Sequence, residues 1–199
     1  MKSIFMTLAV AGVMAMSGAV QAAPILYSQV GTQNTATYSF TAATTGNLTG
    51  YFAGSKSDYE NEVGMMVNGV STGLFGLNNK TSAYGQAFNF GNVVAGDVLV
   101  FVLSNIKPGN IGPWYSQTNL NSDLTNHVYS SYYAGDDRLS AGTYVAFEDK
   151  PRGGDFNYND ISFVFSNVTT EVPEPASIAL LGLGIAGLGL SRRKKAIKA

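Results

Sequence analysis

The chain lacks cysteine altogether and contains a single histidine among its 199 residues. Without thiols it can form no disulfide, no cysteine-based metal site and no thiol nucleophile. The one histidine, His127, has no second histidine or cysteine with which to hold a transition metal, so we expect a structural, hydrogen-bonded role for it. A serine hydrolase is also disfavoured, because no Gly-x-Ser-x-Gly nucleophile elbow accompanies His127.

Charged residues are scarce, at 13% of the chain, and they are unevenly distributed. Residues 23–172 contain six basic and twelve acidic side chains, which gives this part a net charge of −6. An acidic surface repels phosphate backbones, so nucleic acid is not expected as a partner, and an anionic polysaccharide would not be attracted by charge alone. The balance favours the binding of cations.

Long apolar runs are missing from the body of the chain and occur only at its two ends. At the amino end, Lys2 is followed by apolar and small residues from position 4 to position 20, which is typical of a signal peptide. We expect signal peptidase to cut between Ala22 and Ala23, so that residues 1–22 are removed and the chain is exported. A domain of about 150 residues buries enough surface to fold without disulfides.

At the carboxyl end, Pro173, Glu174 and Pro175 precede an apolar run that ends at position 190, and Arg192 and Arg193 begin a basic terminus. This run is shorter than the roughly 20 residues that a bilayer-spanning helix needs, so we expect only transient membrane insertion. The basic residues should remain on the cytoplasmic side, since Lys and Arg in short flanks set the orientation of a membrane segment. The rest of the chain would then face outward.

This order of motif, apolar helix and basic end resembles the PEP-CTERM sorting signal of bacteria that make exopolysaccharide. The resemblance implies that residues 171–199 form a tail recognised by an exosortase, a membrane-embedded enzyme similar to cysteine transpeptidases, which cuts near the Pro-Glu-Pro motif. It also implies a Gram-negative-type bacterium, an inner-membrane intermediate and a final place at the cell surface or in the biofilm matrix. Extracellular polysaccharide or other matrix proteins would be the partners there.

Residues 23–170 are predicted to form one all-β domain, an antiparallel β-sandwich of jelly-roll-like type. Short runs rich in Thr, Tyr, Phe and Val alternate with Gly, Asn and Ser, and no window shows a helical period. The dipeptide Asn68-Gly69 predicts a type I′ hairpin turn, because both residues tolerate positive φ. The predicted strands cover residues 36–40, 48–53, 63–67, 85–90, 97–103, 144–147 and 161–165.

An acidic segment lies between the last two predicted strands and should form the loop of their hairpin. Calcium prefers carboxylate and amide oxygens, and Gly153-Gly154 would let the loop wrap an ion. The spacing does not match an EF-hand, because Asp160 stands where that loop requires glycine. A metal-free loop held by hydrogen bonds is the alternative. The candidate calcium ligands are Glu148, Asp149, Asp155, Asn157, Asn159 and Asp160.

The same loop carries a second resemblance. Three short motifs occur in order, Phe147-Glu148-Asp149, Gly153-Gly154-Asp155 and Tyr158-Asn159-Asp160, with His127-Val128 upstream. They are similar to the pattern of an exported bacterial family built on a domain of unknown function. The resemblance implies an extracellular β-rich module with a calcium site and no established enzymatic activity. Phe156-Asn157 stands where an acidic residue is common in that family.

A long loop at residues 105–122 contains the only tryptophan, Trp114, followed by Tyr115. If these rings are exposed, they could form the stacking platform of a carbohydrate-binding module together with the tyrosines at 129, 132 and 133. The alternative is that Trp114 packs on the sandwich. We expect no enzymatic activity, because the sequence offers little support for catalysis. A polysaccharide-active enzyme remains the lesser alternative, and it would require Glu148 to face Asp160 or Asp136 across a cleft. We therefore expect an exported, calcium-stabilised matrix protein with a structural or adhesive role.

Overall fold

The computed structural model describes residues 26–171. The predicted signal cleavage site at Ala22 and Ala23 lies outside the described residues. So does the predicted sorting tail with Pro173, Glu174, Pro175, Arg192 and Arg193. The strands are β1 (Ser39–Ala42), β2 (Gly46–Ser55), β3 (Glu60–Val67), β4 (Val70–Gly76), β5 (Ala87–Val93), β6 (Val98–Lys107), β7 (Trp114–Tyr115), β8 (Val128–Tyr133), β9 (Gly142–Phe147), β10 (Ile161–Phe165) and β11 (Val168–Glu171).

The strands form two antiparallel sheets. The first has the order β11-β1-β6-β3-β4, with the short strand β7 also paired to β6, and the second has the order β5-β2-β10-β9-β8. Between residues 26 and 171 the only helical segments are 3-10 turns at Thr118–Leu120 and Pro151–Gly153. No helix in this part of the chain is long and apolar enough to cross a bilayer. The predicted antiparallel β-sandwich is confirmed.

The main hydrophobic core lies between the two sheets, and a second cluster covers the outer face of the second sheet. All five residues of β10 are buried, because this central strand has apolar neighbours on both faces. The second cluster includes Tyr133, Tyr144, Tyr158 and Val164, and Tyr27 from the segment that precedes β1 packs against it. This outer layer positions the β9–β10 loop, because Tyr158 belongs to that loop.

The predicted hairpin at Asn68-Gly69 is confirmed. Val67 of β3 pairs with Val70 of β4, and the two turn residues have φ of 50° and 80°. All seven predicted strands overlap observed ones, but β4, β7, β8 and β11 were not predicted. Three of these, β4, β8 and β11, are edge strands, and none of the residues of β4 is buried. These edge strands lack the alternation of apolar and polar residues from which a strand is predicted in a sequence.

Gly50 lets the backbone of β2 lie directly against aromatic rings of the core. A Cβ at this position would lie 2.7 Å from the Phe90 ring and 2.8 Å from the Phe165 ring. We expect Gly50→Ala to lower the free energy of unfolding by about 1–3 kcal/mol, the usual cost of overpacking a core. Urea unfolding followed by circular dichroism would measure it. Asn47→Ala, an exposed change in the same strand, should shift stability by less than about 0.5 kcal/mol, and an equal loss in both variants would contradict the packing explanation.

Candidate functional site

The predicted acidic hairpin loop occupies residues 148–160. Phe147 at the end of β9 pairs with Ile161 at the start of β10, so Glu148 and Asp160 leave the sheet side by side. The backbone amide of Asp149 donates to a carboxylate oxygen of Asp160 at 3.0 Å. Glu148 and Asp149 are fully buried, and Asp160 is 9% exposed. The hairpin therefore places three carboxylates together in the protein interior.

The Glu148 side chain is held by the loop itself. One of its oxygens, Oε1, accepts a hydrogen bond from the backbone amide of Tyr158, whereas the other, Oε2, has no hydrogen-bond partner. Gly154 leaves the space beside Oε2 open, since a Cβ there would lie 3.0 Å from that oxygen. Burial raises the pKa of Glu148 to about 8, and the negative charges of Asp160 and Asp155 act in the same direction. The hydrogen bond from the Tyr158 amide favours the ionised form of Glu148 but only partly offsets the cost of burial.

The Asp149 side chain is held by a different part of the molecule. Its Oδ2 accepts hydrogen bonds from the Ser57 hydroxyl and, at 2.7 Å, from the Asn61 amide of β3, but its Oδ1 is buried without a partner. Burial also raises the pKa of Asp160, and its proximity to Asp149 contributes. Glu148 thus belongs to the loop, Asp149 bridges to the first sheet, and Asp160 lies near both.

The other three candidate ligands do not join this buried group. Asp155 is exposed and accepts a hydrogen bond from the Asn157 amide at 2.7 Å. The Asn157 side-chain oxygen accepts from the backbone amide of Asn159 at 2.9 Å. These contacts shape the turn before β10. Whether the three residues bind a cation stays a prediction.

The arrangement fits a hard cation only in part. Within residues 26–171, no three His, Cys, Asp or Glu side chains are placed so that they would hold a metal ion by themselves. Two carboxylate oxygens, on Glu148 and Asp149, are nevertheless buried and unpaired, which is rare for such groups in native proteins. Calcium takes amide and backbone oxygens as readily as carboxylates. The donor set is therefore of the right chemical kind.

Tyr158 anchors the loop to the outer layer. It is buried and adopts a positive φ of 51°, as do Arg152 at 60° and Phe156 at 52°. Non-glycine residues rarely adopt this conformation unless the surrounding structure imposes it. The Tyr158 hydroxyl donates to the carbonyl of Asn126 and accepts from the amide of Asn34, both at 3.0 Å. These bonds tie the loop to the segments that carry Asn34 and Asn126.

Trp114 is not the exposed sugar contact that its sequence context allowed. Its side chain is 3% exposed and its indole stacks on the His127 ring with centroids 3.9 Å apart. The indole N–H donates to the backbone carbonyl of Asp149 at 2.8 Å. Burial leaves no face of this ring for a ligand, so the packing alternative is correct. Tyr115, the next residue, is half-buried and lies on the opposite side of the strand.

His127 has the structural role predicted for it. The ring is fully buried, with Nδ1 2.9 Å from the carbonyl of Glu148 and Nε2 3.1 Å from a carboxylate oxygen of Asp123. Asp123 also accepts from the backbone amide of Arg152 at 2.7 Å. Partial burial tends to raise the pKa of Asp123, but these hydrogen bonds and one from Thr125 outweigh it and lower the pKa. No motif in the sequence marked Asp123 as part of the site.

Two family models match the chain. Residues 62–167 match the Domain of unknown function (DUF4114), and residues 171–194 match the PEP-CTERM protein-sorting motif. The first match spans more than half of the chain and contains both the buried carboxylates and the His127 stack. No curated protein and no solved structure matches the chain.

Trp114→Phe tests the link between the indole and the acidic loop. The substitution keeps an aromatic ring beside His127 but leaves the buried carbonyl of Asp149 without a donor, so we expect a loss of about 1–3 kcal/mol in the free energy of unfolding. Urea unfolding followed by circular dichroism would measure it. Tyr132→Phe, at a side chain that is 69% exposed, is the matched control and should be neutral. If Trp114→Phe leaves the free energy of unfolding unchanged, this hydrogen bond contributes nothing to stability.

The raised pKa of Glu148 predicts a pH dependence of stability in the metal-free protein. The folded-state pKa of about 8 lies above the ordinary value of 4.5, so the stabilising contribution is complete below about pH 4.5 and is lost as the pH rises towards 8. Urea unfolding in EDTA at several pH values should show stability falling over this range. Glu148→Gln should make the fall shallower, and Asp137→Asn, at an exposed carboxylate, should not. Equal slopes in all three proteins would contradict the assignment.

Proposed function

We infer a function from the premise that this chain belongs to the DUF4114 family and carries a PEP-CTERM sorting motif. We propose that it is a calcium-stabilised structural or adhesive component of the cell surface or the exopolysaccharide matrix. The sorting motif makes it an exported protein that an exosortase processes. The proposal adds a bound ion, a non-catalytic role and a final location. Extracellular polysaccharide or other matrix proteins are its partners there.

The observation that carries the calcium proposal is the pair of buried, unpaired carboxylate oxygens on Glu148 and Asp149. Burying an ionised carboxylate without a partner is costly, because water no longer solvates the charge. A cation beside Oε2 of Glu148 would neutralise the charge on that carboxylate, and it would also reverse the upward pKa shifts of Glu148 and of Asp160, its neighbour in the hairpin. Backbone oxygens of the glycine-containing turn would complete the shell, together with the more exposed side-chain oxygens of Asp155, Asn157 and Asn159 after a shift of the loop.

The donor chemistry favours calcium over transition metals. The available ligands are carboxylate, amide and carbonyl oxygens, which suit hard cations, whereas zinc and copper prefer the nitrogen and sulfur ligands that this site lacks. Both nitrogens of His127 already lie within hydrogen-bond distance of Glu148 and Asp123. Calcium also tolerates irregular coordination, which a loop with several positive-φ residues would provide.

The place of the site in the sandwich supports a structural role. Glu148 directly follows β9, and Asp160 directly precedes β10, the strand that pairs with β9 in the second sheet. Asp149 is hydrogen-bonded to Asn61 of the first sheet. An ion at this junction would cross-link the two sheets at one end of the sandwich. The carboxylates are buried in the protein and do not face each other across an open cleft, so we do not propose that Glu148 acts as a glycosidase acid.

Thermal unfolding of the exported protein tests the proposal. After EDTA treatment, titration with calcium should raise the midpoint, because a ligand that binds only the folded state stabilises it by about 2.7 kcal/mol at a concentration one hundred times its Kd. For a domain of this size that corresponds to a rise of roughly 5–10 °C. Glu148→Gln should abolish the rise, and Asp155→Ala should reduce it.

Asp137→Asn serves as the control, since it removes an exposed acid outside the loop and should leave the calcium response intact. Magnesium at the same concentration should give a smaller shift, because it demands a more regular octahedral shell. An unchanged midpoint with calcium, or an equal shift in Glu148→Gln, would leave the loop as a hydrogen-bonded hairpin without metal and would overturn the proposal.

A further inference from the structure

The outer face of the first sheet carries a cleft of about 360 Å³ that shares no residue with the acidic loop. Its floor is formed by β3 and β6, including Met66, Val102 and Ser104. Phe75 of β4 forms one wall, and Tyr115 with the preceding loop forms the other. The volume lies within the range of roughly 300–1,000 Å³ that is typical of small-molecule sites.

The backbone fixes both aromatic walls. Phe75 is 38% exposed and lies over Gly64 of β3, where a Cβ would come within 2.4 Å of the ring. Tyr115 pairs with Val102 in the sheet, and its backbone amide and carbonyl are both bonded to the side chain of Asn121, at 2.7 and 3.1 Å. The backbone positions from which the two rings project are therefore fixed before any ligand arrives, which lowers the entropy cost of binding.

The polar groups of the cleft are suited to pair with hydroxyl groups. The side-chain hydroxyls of Ser104 and Tyr115 form no hydrogen bond with any residue between 26 and 171. Asn105 is fixed in orientation, because its amide donates to the side-chain oxygen of Asn61 at 2.9 Å and its own oxygen accepts from the backbone amide of Gly109 at 2.8 Å. That oxygen retains a second lone pair.

The lining of the cleft is also uncharged, in a body whose net charge is −6. A carboxylate or sulfate ligand would find no cation to pair with and would be repelled by the surrounding acidic surface. A cationic ligand would find no carboxylate in the cleft. Charge complementarity therefore selects a neutral, polar ligand with an apolar face.

We propose that this cleft binds a neutral oligosaccharide. The Phe75 and Tyr115 rings would contact the apolar C–H faces of sugar rings, while the hydroxyls of Ser104 and Tyr115 and the Asn105 oxygen pair with sugar hydroxyls. This function goes beyond the proposed calcium-dependent role and does not rest on it. The cleft also replaces the carbohydrate site expected at Trp114, since residue alternation in β7 turns Trp114 inward and Tyr115 outward.

Isothermal titration calorimetry on the exported protein, without its signal peptide, tests this inference. The probes are four neutral hexasaccharides, cellohexaose, maltohexaose, mannohexaose and chitohexaose, and one anionic hexasaccharide, hexagalacturonate. We expect at least one neutral probe to bind and the anionic probe not to bind. Tyr115→Ala should weaken binding about tenfold, the effect of losing one well-placed aromatic contact, and Ser104→Ala should weaken it by a smaller factor.

Tyr132→Ala tests the alternative aromatic platform of the second sheet, because it removes the exposed tyrosine of that platform, and it should leave affinity unchanged. If Tyr115→Ala strongly lowers the thermal midpoint, two milder variants take its place in the binding test. Tyr115→Phe and Ser104→Ala each remove only one hydroxyl, and both should still weaken binding. The inference is wrong if no neutral probe binds or if only hexagalacturonate binds. It is equally wrong if Tyr132→Ala weakens binding as much as the cleft variants do.

Discussion

The burial of three carboxylates at the end of the β9–β10 hairpin is the constraint on which the rest of the site depends. Strand pairing between Phe147 and Ile161 brings Glu148 and Asp160 together, and a carboxylate inside a protein requires donors or a cation. The neighbouring backbone follows from that need. The amide of Tyr158 turns towards Glu148, and the amide of Asp149 turns towards Asp160.

The same constraint explains the stack beneath the loop. The backbone carbonyl groups of Glu148 and Asp149 accept hydrogen bonds from His127 and Trp114. Asp123 then holds both the far side of the imidazole and the amide of Arg152. Residues from β7, from the segment before β8 and from the loop therefore form one connected unit. This unit explains why the only tryptophan of the chain is buried.

The two sheets divide the remaining tasks. The second sheet carries the hairpin with its acidic loop, and its outer face is covered by the segment that precedes β1. The first sheet leaves its outer face open for the cleft between Phe75 and Tyr115, and its edge strand β11 extends to Glu171, the first residue that matches the sorting motif. Asn61 connects these regions, because it bonds both Asp149 and Asn105.

The sequence by itself determined the features that depend on local pattern: an all-β sandwich, the Asn68-Gly69 turn, an acidic hairpin loop before β10 and the sorting motif at the carboxyl end. Local pattern is enough there because turn chemistry and apolar alternation act over a few residues. Only the tertiary structure decided that Trp114 faces His127 and Tyr115 faces the cleft, that Asp123 joins the loop, and that Glu148 and Asp149 have separate partners. Each of these features depends on which strands are neighbours in the sheets. Strand pairing joins residues that are far apart in the chain, and no local sequence pattern specifies their partners.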